Sequence, residues 1–175
     1  MKFTEVKLEQ AFIELLGNED YPHFVGSSLV RGSEDEVLIE EDLKNYLLKR
    51  YKKEKLTDTE AQSIILQLKT LSSADLYESN KKIMRWLADG FILKREDRQQ
   101  KDIHIELIDY RGLNKQRKSD NLDTIAAEPK AQYGKDHNIY KFVNQLEIVG
   151  TERRIPDGII YVNGLPVVVF ESIAS

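Results

Sequence analysis

Apolar residues recur with helical spacing at the start of the chain. Leu8, Ala11, Phe12, Leu15 and Leu16 fall at i, i+3, i+4, i+7 and i+8, with Thr4 as the expected N-cap and Gly17 and Asn18 as the stop. This pattern predicts one amphipathic helix with a single apolar stripe, flanked by Glu5 and Glu9, which are four residues apart and share a side. After a loop through "GNEDYPHFVGSSLVRGSEDE", residues 39–53 read as a second helix with Leu43, Tyr46, Leu47 and Tyr51 inward. The run "TDTE" at 57–60 is a capping box, which predicts a third helix reaching about Leu71. A fourth follows in "SSADLYESNKKIMRWLADG", capped at its start and closed by Gly90, with Ile83, Met84 and Trp86 expected in the core. Residues 39–90 are thus expected to form a helical insertion or subdomain.

From residue 102 the period changes from 3.6 to 2. In "DIHIELIDY" the residues Ile103, Ile105 and Leu107 alternate inward, leaving His104 and Glu106 outward, as in a half-buried strand. A long polar run, 111–138, comes next and carries Arg111, Lys115, Arg117 and Lys118 close together. It reads as a solvated loop, with phosphate contact by these four cations as the functional alternative. "IYKFVNQLEIVG" at 139–150 reads as a strand, and "IPDGIIYVNGLPVVVFE" as a closing pair turned at Asn163-Gly164.

The register of that pair decides its chemistry. A two-residue loop would put Asp157 opposite Phe170, whereas a three-residue loop centred on Gly164 would put Asp157 opposite Glu171. In the second case the two Cβ atoms would stand about 5 Å apart, close enough to grip one divalent cation. Two carboxylates so placed repel and lose hydration, and a hard cation such as Mg²⁺ relieves both penalties. The continuous apolar run Val167–Phe170 predicts a central strand covered on both faces, with Glu171 emerging at its end. The alternative is plain structure: "IPDG" is also good turn chemistry.

Composition narrows the choice. The 175 residues suffice for one domain with its own core, and 41% apolar with 32% charged residues is the balance of a globular protein. No apolar run approaches the roughly 18 residues of a membrane span, so a cytoplasmic location and no membrane partner are expected. With no Cys and three His, disulfides and thiolate sites are excluded and carboxylates become the natural metal ligands. A net charge of −4 argues against a stand-alone nucleic-acid binder, so other domains or subunits are expected to help hold any DNA.

The run "NQLEIVG…RRIPDGIIYVNGLPVVVFE", with "TEVKLEQAFIELL" near the start, closely resembles the N-terminal nuclease region of the restriction (R) subunit of type I restriction-modification enzymes. The resemblance implies a PD-(D/E)xK nuclease: an α/β fold in which a mixed β-sheet is flanked by helices, a restriction-endonuclease-like α/β/α core, here with the helical insertion. Core strands are then expected over about 102–173 in a single domain spanning 1–175. It also implies Mg²⁺-dependent cleavage of double-stranded DNA, with Mn²⁺ as substitute metal, and partnership with modification and specificity subunits. ATP would enter only through motor domains of the parent subunit; these residues hold no Gly-x-x-x-x-Gly-Lys-Ser/Thr loop, so the chain is expected to be a fragment of that larger subunit.

Carried over by residue, the resemblance assigns the metal and the catalysis to Asp157 and Glu171, and a supporting acid to Glu9 or Glu5. The motif's Lys falls where this chain has Ile173. An ammonium there would orient the attacking water and balance charge developing on phosphate, which Ile cannot do. The chain is therefore expected to keep the metal-binding acids and to cut DNA poorly or not at all. The alternative is a non-catalytic DNA-binding or subunit-docking module on the same fold.

Overall fold

The computed structural model describes residues 5–71, 74–111 and 137–171, with only the backbone described at Glu5, Val6 and Leu8. Among them the chain is α/β, with four α-helices, a mixed four-stranded sheet and two small two-stranded sheets. It forms two compact units, one of Met1–Thr70 with Ile139–Ser175 and one of Leu71–Asn138. The helical stretch 39–90 is divided between them: its first two helices belong to the first unit and its last to the second.

In the first unit, helix α1 (Glu5–Asn18) leads to strand β1 (His23–Val25), and helices α2 (Glu40–Arg50) and α3 (Asp58–Lys69) follow. The sequence returns to this unit with a strand at Tyr140–Asn144 that pairs parallel with β1, His23 facing Phe142 and Val25 facing Asn144. Short β1 lies in the stretch expected to be loop. Three residues between Pro22 and Gly26 are too few to show alternation. Gly26 is needed there, because a Cβ would lie 2.4 Å from the Leu146 Cα.

The two sheet faces are covered by different helices. Phe142 points to the α1 side, where its ring lies 6.3 Å from Phe170, which in turn sits 5.1 Å from Phe12 of α1. Val143 points the other way, into a buried cluster with Ile39, Leu146, Ile159 and Tyr161. Lys141 shares that second face and reaches Asp42 of α2 at 2.7 Å. Leu43, Tyr46, Leu47 and Tyr51 are buried as the periodicity predicts. α2 also carries Glu40, Glu41 and Asp42 in its first turn and Lys49 and Arg50 in its last, the favourable order for the helix dipole. The capping box of α3 forms in both directions: Glu60 N–H donates to Thr57 Oγ1 at 3.2 Å and Thr57 N–H to Glu60 Oε2 at 3.0 Å.

Lys69 at the end of α3 pairs with buried Glu36 at 2.6 Å and with Glu40 at the start of α2. Burial would raise the Glu36 carboxyl, but Lys69 and the Gly32 amide outweigh it and hold it below the usual range. The same acids raise the Lys69 ammonium.

The second unit contains α4 (Leu76–Asp89), then β2 (Phe91–Leu93) paired antiparallel with β3 (Ile103–Ile105). Asp75 caps α4 by accepting from Glu78 N–H at 3.1 Å, and Gly90 ends it at φ 70°. Trp86 packs on Phe91 with centroids 4.9 Å apart. Met84, expected in the core, is instead 64% exposed. It lies on the apolar half of α4, but no residue of α4 is fully buried. His104 is exposed as expected, and its Nε2 meets the Asp89 carbonyl at 2.8 Å. The predicted strand over 102–110 narrows to Ile103–Ile105, although Leu107 beyond it is still fully buried.

Candidate functional site

The strand expected over 139–150 is two strands. Strand β4 (Tyr140–Asn144) ends where Gln145 takes φ 52°, and β5 (Ile148–Val149) pairs with β6 (Arg153–Arg154) as a separate small sheet. The chain then enters the hairpin of β7 (Gly158–Val162) and β8 (Leu165–Phe170), and β7 pairs antiparallel with β4. The order of the main sheet is β1-β4-β7-β8.

Both register alternatives for the hairpin contribute to its geometry. The turn is the two-residue form: Val162 faces Leu165, with Asn163 at φ 54° and Gly164 at φ 76°, the left-handed pair that suits the twist of a hairpin. A β-bulge then shifts the pairing between Ile160 and Tyr161, so Ile160 faces Val168 and Gly158 faces Phe170. This is the register of the three-residue alternative. Asp157 and Glu171 each lie one residue beyond the Gly158–Phe170 pair, Asp157 before Gly158 and Glu171 after Phe170, and Asp157 N–H donates to the Phe170 carbonyl at 3.1 Å. The bulge sets the two acids in register with each other, one step beyond that pair.

β8 is not the central strand that its sequence suggests. It is the edge of the four-stranded sheet, and Val167, Val168 and Val169 are 38%, 42% and 58% exposed. An unbroken apolar run does not distinguish a strand covered on both faces from one paired on a single side. The turn is firmly anchored nonetheless. Asn163 is fully buried and its Oδ1 accepts from Ile139 N–H at 2.7 Å, while Ile39 N–H donates to the Gly164 carbonyl at 2.9 Å. Tyr161 donates its hydroxyl to the Val37 carbonyl at 3.0 Å, and burial pushes that phenol well above its ordinary pKa.

Glu9 of α1 reaches the same end of the sheet. Asn144, 5% exposed, donates from Nδ2 to Glu9 Oε1 at 2.6 Å, and Gln145 Nε2 approaches the same oxygen at 3.5 Å. Asn144 Oδ1 meets His23 Nε2 of β1 at 2.8 Å. A polar chain thus runs from α1 across β4 to β1. The Glu5 side chain lies outside the described residues, as do Ile173 and the cations Lys115, Arg117 and Lys118. The fourth cation, Arg111, grips buried Asp109 in the second unit through Nε at 2.8 Å and Nη2 at 2.6 Å. His137 Nδ1 lies 3.2 Å from the same carboxylate.

The structure places Asp157, Glu171 and Glu9 at one end of the sheet; His23 and Asn144, which the sequence reading did not single out, are linked to Glu9 there. An Asn-Gln pair ending a strand that faces an acidic helix is the signal that was available. Among the described residues, no group of three or more His, Asp or Glu is gathered closely enough to hold a metal ion. What the sheet end offers is a carboxylate pair with a third acid already tied to Asn144. Carboxylate oxygens are the donor type that a hard cation takes.

Over residues 2–173 the sequence matches the family described as Type I restriction enzyme R protein N terminus, and the chain belongs to that family. Comparison with curated proteins and with solved structures gives no match. Among the described residues no helix is long and apolar enough to cross a membrane.

Proposed function

We propose, with that family membership as the premise, that the end of the β7–β8 hairpin is a Mg²⁺-dependent site for phosphodiester hydrolysis in double-stranded DNA. The observation that carries the reading is the bulge-shifted register that sets Asp157 and Glu171 one residue beyond the same strand pair. Asp157 and Glu171 would hold the cation, and Glu9 would support it from α1. When bound, the metal polarises a phosphoryl oxygen and lowers the pKa of attacking water. The chain's part is to fix the two carboxylates. The Asp157 amide is tied to the Phe170 carbonyl, and the hairpin behind them is anchored through Asn163 and Gly164. In the parent enzyme, modification and specificity subunits would supply the recognition sequence, and motor domains the ATP dependence.

Ile173 stands where the resemblance expects Lys. Without an ammonium at that place, nothing at the motif orients the water or balances phosphate charge, and losses of such groups cost about 10²–10³ in rate. The chain therefore binds the cation and cleaves DNA very slowly. Cleavage of supercoiled plasmid with Mg²⁺ tests this: Ile173→Lys is expected to raise the rate by about 10²-fold or more, and equal rates for the two proteins would contradict it. The same residue favours a second reading, a DNA-binding or subunit-docking module that keeps the fold without the chemistry. DNA bound equally well with and without Mg²⁺, and not cut by the Ile173→Lys variant, would select it.

A further inference from the structure

The polar chain from α1 to β1 has a fixed direction, and that direction assigns a proton. Glu9 offers only acceptors, so Asn144 must turn its NH₂ toward Glu9 and its carbonyl oxygen toward His23. The 2.8 Å contact then requires His23 to donate from Nε2. If the amide were turned over, two oxygens would face each other at Glu9, within a pair in which Asn144 is almost fully buried. Both amide donors, Asn144 Nδ2 and Gln145 Nε2, converge on Oε1. Among the described residues Oε2 of Glu9 takes no hydrogen bond.

We infer that His23 is a positioning residue for this site: through Asn144 it holds Glu9 by Oε1, with Oε2 left without a hydrogen bond among the described residues, at the end of β4 next to which Asp157 and Glu171 lie on β7 and β8. The inference rests on the site reading above, and it gives the short strand β1 a task that its three residues of pairing do not explain. β1 sets His23 beside Phe142, with ring centroids 5.9 Å apart and the planes tilted by 36°, and Nε2 toward Asn144. Carboxylates that ligate or support a metal are commonly held by such outer hydrogen bonds, and removing the partner typically lowers metal affinity about 10–100-fold.

Two measurements on the whole chain test it. The first is ¹⁵N NMR of the imidazole in metal-free, alkaline solution. His23 is expected as the Nε2–H tautomer, and Glu9→Leu is expected to abolish that preference by freeing the Asn144 amide to turn. An Nδ1–H or averaged ring in the parent protein overturns the inference. The second is Mn²⁺ calorimetry. His23→Leu, which keeps an apolar side chain against Phe142 but has no donor, is expected to weaken binding about 10-fold. His23→Gln, which restores an N–H donor, is expected to recover most of it. Equal affinities in all three proteins, or equal loss in both variants, overturn the positioning role. An Asp157→Asn control separates the two levels: Mn²⁺ binding unaffected by it removes the site reading, and the tautomer result then decides the His23–Asn144–Glu9 chain alone.

Discussion

Single residues of the hairpin carry a large share of what the site needs. Gly164 sits at φ 76°, and a Cβ there would lie 2.2 Å from the Ile39 carbonyl oxygen, which is backbone and cannot move aside cheaply. Gly164→Ala combines a left-handed penalty with a forced displacement of the start of α2, and is expected to lower stability by roughly 2–4 kcal/mol. Chemical denaturation of the variant checks this; a loss below about 0.5 kcal/mol, the usual range for an unconstrained surface change, would mean the turn is not locked as described. Asp157 and Glu171 are easy to find in the sequence because "IPDG" and "VVVFE" flank an unmistakable Asn-Gly turn. His23 is not. Its part depends on a parallel pairing with a strand more than a hundred residues away, and no local pattern in "PHFVG" announces that partner.

At the scale of elements, sequence patterns were most informative where a single physical signal dominated. The buried stripe of α2 and the reciprocal cap of α3 are both visible in the sequence, because helical spacing and the Thr57/Glu60 box are local. Strand β8 was misplaced because four apolar residues in a row carry no information about which side is paired, and Met84 because an amphipathic stripe shows which half of a helix is apolar and not how much of it is covered. The hairpin register was undecidable in the sequence for a definite reason: turn type and strand register are separate choices once a bulge lies between them. An element of the second unit offers a pH test. Buried Asp109 joins both sides of the 112–136 connection, through Arg111 on one and His137 and Asn138 on the other. The Arg111 guanidinium holds its carboxyl well below the usual carboxylate range. A depressed folded-state pKa means the contribution is complete above the unfolded value, near 3.9, and is lost as pH falls below it. Asp109→Asn should therefore destabilise the protein at pH 7 and lose less stability than the parent between about pH 5 and 2. Parallel stability curves for the two proteins over that range would contradict the assignment.

For the whole molecule, the chain is a family domain for which a cation held by Asp157 and Glu171 is proposed, with Ile173 where the resemblance expects Lys. The fold class and the family follow from sequence and structure together: the mixed sheet, the helices on both its faces, and a match over residues 2–173. The central claim is that the β7–β8 end is a divalent-cation site despite Ile173. Its most direct test is calorimetric titration of the chain with Mn²⁺, alongside Asp157→Ala and Glu171→Ala. The account predicts one bound ion in the parent protein and loss of binding in both variants, since each removes half of an oxygen donor pair. Binding that survives either substitution, or a parent protein that takes up no Mn²⁺, would contradict it.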